Sequence, residues 1–183
     1  MKISILLPYK ENFSPNYPGA VSLFVNDTLS LSKYKPKIKV YGNTTFKKKF
    51  SNNYKNIKLK KLFFGSQSEN YMDEFIKIEK SLPSEIIEIH NRPHYLKYLI
   101  NEGIKSKFVL YFHNDPLTMT GSKNLNERKY LVHICEKIIF NSLWSKKRFL
   151  EGIPSGSVST EKLIVIFQSA SKNNFNIKKK KKW

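Results

Sequence analysis

Cysteine occurs once in these 183 residues, at Cys135, which excludes an internal disulfide and a multi-cysteine zinc site. Arginine is nearly as scarce. Arg92, Arg128 and Arg148 are three among 33 basic residues, so the cations are almost all lysine. Glycine is sparse too, seven in all, and none falls in the G-x-G-x-x-G or G-x-x-x-x-G-K-[ST] patterns that cradle dinucleotides and triphosphates. No G-x-S-x-G elbow supports a serine hydrolase. No apolar run approaches the roughly 18 residues of a membrane helix, and Ile3 to Pro8 is too short for a signal peptide before Lys10 and Glu11 intervene. The expectation is a cytoplasmic protein.

What is present suffices for one domain. At 40% hydrophobic and 14% aromatic residues, the chain can bury a core, which excludes a wholly disordered protein. Its charge is the outlier, at +19. Six of the lysines lie in residues 170–183, which hold no acid, leaving +13 on the rest. Such a balance attracts phosphate, whether on nucleic acid, anionic lipid or a small molecule. Lysine, asparagine and isoleucine are also what an AT-rich coding sequence supplies, a second source for the charge.

The hydrophobic periodicity alternates between strands and helices. Ile3 to Pro8 reads as a buried strand, and Ala20, Val21, Leu23, Phe24, Val25, Thr28, Leu29 and Leu31 as the stripe of a helix. Strands are expected at Lys37 to Tyr41 and Ile57 to Phe64, then a helix over Ser68 to Leu82 and a strand over Ser84 to Ile89. The remainder reads helix from Pro93, strand Phe108 to Phe112, helix from Leu125, strand Lys137 to Phe140, helix from Ser142 and strand Lys162 to Phe167. This alternation predicts an α/β domain over residues 1–169, Rossmann-like and doubly wound, with a mainly parallel sheet and helices on both faces. Residues 170–183 read as a basic linker or disordered tail.

In such sheets ligands bind beyond the carboxyl ends of the strands, and polar residues gather there. The loop after the first strand ends at Gly19-Ala20, where a ligand can approach backbone N–H groups at a helix start. The fourth strand delivers His90-Asn91-Arg92-Pro93-His94, and the fifth delivers His113-Asn114-Asp115-Pro116. His113 is placed either to orient or exchange a proton with a hydroxyl, or as a structural histidine before Pro116; the spacing leaves both open. Arg92 suits bidentate pairing with phosphate or carboxylate. No metal site is expected, because Asp115 is the single obvious companion for these histidines. Glu127-Arg128 reads as a solvated pair, Ser142 as a helix cap followed by a core Trp144, and Cys135 as core.

In their order and placement, Phe13-Ser14-Pro15, Pro18-Gly19-Ala20-Val21-Ser22, His90-Asn91-Arg92-Pro93, His113-Asn114-Asp115-Pro116 and Ile139 to Gly152 resemble the N-terminal domain of family-four glycosyltransferases of GT-B fold. The resemblance spans nearly the whole chain. It implies two Rossmann-like domains facing a cleft, the first binding the acceptor and the second a nucleotide-sugar donor. It also implies transfer with retention of configuration, without a metal or cofactor, the nucleotide-sugar being a substrate. On that basis Gly19 and Ala20 match the glycine-rich loop near the donor phosphates, and His113 matches a catalytic strand-end histidine. Arg92, Asn114 and Asp115 are then substrate-binding residues on the acceptor side. Two departures stand out: Gly19-Ala20 replaces a glycine pair, and Phe167 runs into Gln168-Ser169-Ala170-Ser171 where the family has an Asn-Gly-Val-Asp type turn.

The donor-binding half is absent from these residues, and half a cleft supplies little of the differential binding that catalysis needs. The chain alone is therefore expected to show no appreciable transfer. The function implied is the acceptor half of an enzyme of bacterial lipopolysaccharide or other cell-envelope glycan synthesis. Its acceptor would be a saccharide or lipid-linked sugar, its donor would be held by a missing C-terminal domain, and its basic face would touch anionic membrane from the cytoplasm. A nucleic-acid or polyanion-binding module is the rival from charge, disfavoured by scattered lysines and few arginines. A non-catalytic Rossmann-like partner domain is the third.

Overall fold

A computed structural model describes residues 1–60 and 66–168. The chain alternates as the periodicity predicts: β1 (Ile3–Leu6), α1 (Ala20–Leu31), β2 (Ile38–Gly42), β3 (Tyr54–Asn56), α2 (Gln67–Ser81), β4 (Ile86–His90), α3 (Tyr95–Asn101), β5 (Lys107–Phe112), α4 (Leu125–Ile134), β6 (Cys135–Phe140), α5 (Leu143–Leu150) and β7 (Leu163–Val165). The seven strands form one sheet in the order β3-β2-β1-β4-β5-β6-β7, and every neighbouring pair is parallel. From β1 the chain winds one way to β3, then returns to lay β4 on the other side of β1. The direction of winding therefore reverses between β1 and β4, where β1 pairs with both β2 and β4.

Alternation along the strands divides the core between two faces, since successive side chains point opposite ways. Ile5 and Leu7 pack with Val21, Val25 and Leu29 of α1, together with Phe13, Val40 and Tyr54. Leu6 joins the larger cluster on the opposite face, where Ile87, Ile89, Leu110, Phe112, Ile138 and Phe140 meet residues of α2, α3, α4 and α5. Helices thus cover both faces of a parallel sheet, and the fold is α/β and Rossmann-like.

Beside the amino end of β1, Glu79 of α2 is 1% exposed. Its carboxylate accepts the Ser4 hydroxyl at 2.6 Å, the Ser84 N–H at 2.9 Å and the Ser84 hydroxyl at 3.1 Å. A buried carboxylate is tolerated when its lone pairs are filled in this way. The three residues tie α2 and the entry to β4 to the first strand.

Three expectations are corrected. The third strand is Tyr54–Asn56, earlier than the run from Ile57. Residues 57–60 are not strand, and the rest of that predicted strand, like the predicted tail at 170–183, lies outside the described residues. Tyr54 starts the strand because its ring stacks on Phe13 at 5.1 Å and its backbone pairs with Val40. Trp144 is 57% exposed rather than core, because α5 buries Ser145 and Phe149 and leaves Trp144 outward beside the Arg148 guanidinium. Arg128 is buried rather than solvated. Its guanidinium donates to the carbonyls of Lys123 and Glu151, and burial lowers its pKa. Glu127 instead closes a capping box with Asn124 at the start of α4.

Candidate functional site

A cleft of about 300 Å³ opens at the carboxyl ends of β1, β4 and β5, lined by Pro8, Glu11, Ala20, Val21, Asn91, Arg92, His113, Asn114 and Gln168. This lies at the reversal of winding, where doubly wound sheets part their loops and leave a crevice. Of the residues singled out from sequence, Ala20, Arg92, His113 and Asn114 meet in it. Gly19 stands beside it as the cap of α1. Asp115 does not line it. That carboxylate accepts the Leu117 N–H at 3.0 Å, capping the turn Pro116–Thr118, and faces the Arg148 guanidinium at 3.3 Å.

At the start of α1, Glu11 supplies what the cap residue lacks. Its carboxylate accepts the Ser22 N–H at 3.0 Å, putting a negative charge at the positive end of the helix. It presses so closely on Gly19 that a Cβ there would lie 1.9 Å from Oε1. Glycine is needed for space, its φ of −76° being open to any residue.

His113 is fixed from both neighbouring strands. Its N–H donates to the Asn91 side-chain oxygen at 2.8 Å, and its carbonyl accepts the Asn141 side-chain N–H at 2.7 Å. Asn91 turns the chain out of β4 with φ +53°, a left-handed conformation that asparagine adopts more readily than most residues. Arg92 donates to the Asn91 carbonyl at 2.8 Å, which holds the guanidinium at the rim.

The His113 ring lies in a column of aromatic groups on the α1 face. It stacks on Tyr111 at 4.5 Å and lies end to end with His90, their centroids 5.1 Å apart, with the Phe24 edge 5.1 Å away. Burial first, and then the neighbouring His90, push its pKa down to about 3 from the ordinary 6.5. The ring is therefore neutral near pH 7 and acts as a hydrogen-bonding group rather than a cation.

Behind it, Nε2 of His113 lies 2.8 Å from Nδ1 of His90, and Nε2 of His90 lies 2.7 Å from Glu88 Oε1. Gln168 meets the remaining nitrogen, Nδ1 of His113. Sequence reasoning missed Glu11, Glu88 and Gln168 as parts of the site and gave His90 no role of its own. Glu88 and His90 did carry a signal: they are the polar residues at i and i+2 in Ile-Ile-Glu-Ile-His, a spacing that puts both on one face of a strand.

His94 stands apart, packed edge-on to Tyr95, with burial lowering its pKa. Among the described residues no three of His, Cys, Asp and Glu converge as a metal would require. Cys135 is buried, and burial pushes its thiol up to about 12, so it is not a nucleophile. Among the same residues no helix is long and apolar enough to cross a membrane.

No family model and no curated protein matches the chain. Solved structures do, as one half of a GT-B fold. Anabaena Alr3699/HepE in complex with UDP and glucose superposes with a TM-score of 0.61 at 16% identity, over 94% of this chain and 46% of that one. UDP-GlcNAc 2-epimerase from Neisseria meningitidis bound to UDP-GlcNAc gives 0.54 at 12% identity, over 90% and 46%. A glycosyltransferase from Rickettsia africae gives 0.54 at 15% identity, over 92% and 43%. The chain spans less than half the length of each. The likeness is one of fold, to glycosyltransferases and epimerases that include complexes with UDP and UDP-sugars.

Proposed function

We propose that this chain is the acceptor-side half of a retaining glycosyltransferase, which moves a sugar from a nucleotide-sugar to a saccharide or lipid-linked acceptor in cell-envelope glycan synthesis. The observation that carries the reading is the meeting of Ala20, Arg92, His113 and Asn114 in one cleft at the winding reversal. A neutral imidazole and an amide suit sugar hydroxyls, whereas Arg92 suits an anion. Solved chains of the same half-fold hold UDP, glucose and UDP-sugars, which supports a nucleotide-sugar as the shared ligand class. On this reading the donor diphosphate is held mainly by a second Rossmann-like domain, and the basic surface rests on the anionic cytoplasmic face of a membrane. Gly19 and Ala20 approach the donor, Arg92 and Asn114 contact the acceptor, and His113 lies at the reacting centre. Asp115 serves that site through its turn, by holding the loop that carries His113 and Asn114.

Saturation-transfer NMR with glucose and UDP-glucose tests the reading. Glucose, the acceptor-side probe, should receive saturation from the chain and UDP-glucose more weakly, and His113→Ala with Arg92→Ala should abolish the transfer to glucose while the far-ultraviolet circular dichroism stays unchanged. No transfer to either sugar, together with micromolar, steeply salt-dependent binding of arbitrary single-stranded DNA, would overturn it in favour of a polyanion-binding module.

A further inference from the structure

Glu88 and His90 lie behind the cleft, side by side on β4, and neither lines it. They connect to it through His113, and hydrogen-bond logic fixes the order of protons along the row. An ionised carboxylate only accepts, so the His90 nitrogen 2.7 Å from Glu88 is the one bearing hydrogen. Because the Gln168 amide nitrogen can only donate to Nδ1 of His113, the ring hydrogen of His113 sits on Nε2, and Nδ1 of His90 accepts it at 2.8 Å. A neutral imidazole carries one hydrogen, so Nδ1 of His113 keeps its lone pair. Each ring nitrogen of the row then has a partner of the right kind.

We propose that Glu88 and His90 are positioning residues that hold His113 with an unprotonated Nδ1 toward the cleft, so that His113 takes a proton from a bound hydroxyl. This rests on the reading of the cleft as a sugar site. As the hydroxyl oxygen bonds to the anomeric carbon of the transferred sugar, the bond from that carbon to the donor's diphosphate breaks and its electron pair leaves with the nucleoside diphosphate; the hydroxyl O–H bond breaks and Nδ1–H of His113 forms. The Nε2–H bond of His113 breaks and Nδ1–H of His90 forms. The electron pair of the O–H bond stays on oxygen, and the positive charge comes to rest on His90 against the Glu88 carboxylate. His90 is fully buried and Glu88 about a quarter exposed, so water does little to screen their attraction. Tyr111 and Phe24, in contact with each other at 4.9 Å, both pack against the row. Gln168 has to yield its place to the hydroxyl, and it stands in the irregular segment 166–168 that follows β7.

Long-range proton–nitrogen NMR of the histidine rings, on the chain as it stands at neutral pH, tests this. In the parent protein Nδ1 of His113 should resonate as an unprotonated nitrogen and Nε2 as a protonated one, and His90 should show the same tautomer. Glu88→Gln keeps an acceptor oxygen and should preserve both tautomers. Glu88→Ala removes it and should give mixed tautomers at both rings, with far-ultraviolet circular dichroism unchanged. A protonated Nδ1 on His113 in the parent overturns the proposal without any variant, and so does an unaltered tautomer in a folded Glu88→Ala protein. Added glucose should shift Nδ1 of His113. If the tautomers are as stated and glucose at high concentration shifts nothing, the sugar-site reading falls and the hydroxyl step with it, while the ordering of the row stands.

Discussion

The carboxylate of Glu11 takes the place at the start of α1 that a Gly19 side chain would fill, accepting the Ser22 N–H at 3.0 Å and leaving no room for a Cβ on Gly19. These two residues are eight apart in sequence, and they decide together how the first loop of the cleft ends and the helix begins.

A double-mutant cycle makes this coupling measurable. Glu11→Ala should destabilise the fold by about 1 kcal/mol, the usual worth of a capping interaction with a helix end. Gly19→Ala should cost a similar amount, because the new methyl drives the carboxylate off the helix. In the Glu11→Ala background the same Gly19→Ala change should cost close to nothing, its backbone angles being ordinary. Urea denaturation of the four proteins checks the non-additivity; additive costs would show that the two side chains do not compete for the same space.

Glu79 is the second target. Glu79→Ala strands the Ser84 N–H and leaves the Ser4 and Ser84 hydroxyls only their 2.6 Å contact with each other, in a buried site. The expected loss is about 3 kcal/mol, at the level seen when one partner leaves a buried charged network. Glu79→Gln, which keeps acceptor capacity on one atom, should lose less. Midpoints of urea unfolding at pH 7 provide the comparison, and equal losses would place the cost in packing rather than in hydrogen bonds.

His113 gives the fold a pH dependence of known sign. Its folded pKa is depressed to about 3 from 6.5, so the unfolded ring binds a proton at pH values where the folded ring does not. Stability from this residue is complete above about pH 6.5 and is lost as the pH falls from there toward 3. The slope from one such group is at most about 1.4 kcal/mol per pH unit. His113→Gln should flatten the decline between pH 6.5 and 4.5 relative to the parent, measured as urea midpoints across that range. Identical pH profiles for the two proteins would mean that the ring is already solvated.

The element order was legible in the sequence because it depends on local periodicity. Ile3 to Leu7 cannot bury its alternating residues except between two layers, and the stripe Val21, Val25 and Leu29 has one apolar side to hide. The polar strand ends at Arg92, His113 and Asn114 were legible for the same reason, since a parallel sheet brings all its carboxyl ends to one edge. Errors fell where local pattern and tertiary contact disagree. The lysine-spaced run from Ile57 resembles a strand, but the ladder was claimed by Tyr54, whose ring has Phe13 to stack on. Trp144 looks like core by composition, yet the helix turns Ser145 and Phe149 inward instead.

By itself, then, the sequence determined an α/β alternation, the edge of the sheet where chemistry gathers, and the scarcity of cysteine and glycine that rules out several site types. Tertiary structure alone decided which polar residues meet. Glu88, His90, His113 and Gln168 form one row across sequence separations of 2, 23 and 55 residues, and Asp115, next but one to His113, turns away to Arg148. Periodicity acts over a few residues and fixes which face a side chain takes. Contacts between strand ends depend on the order in which the chain lays its strands, and that order follows from burying both faces of the whole sheet at once.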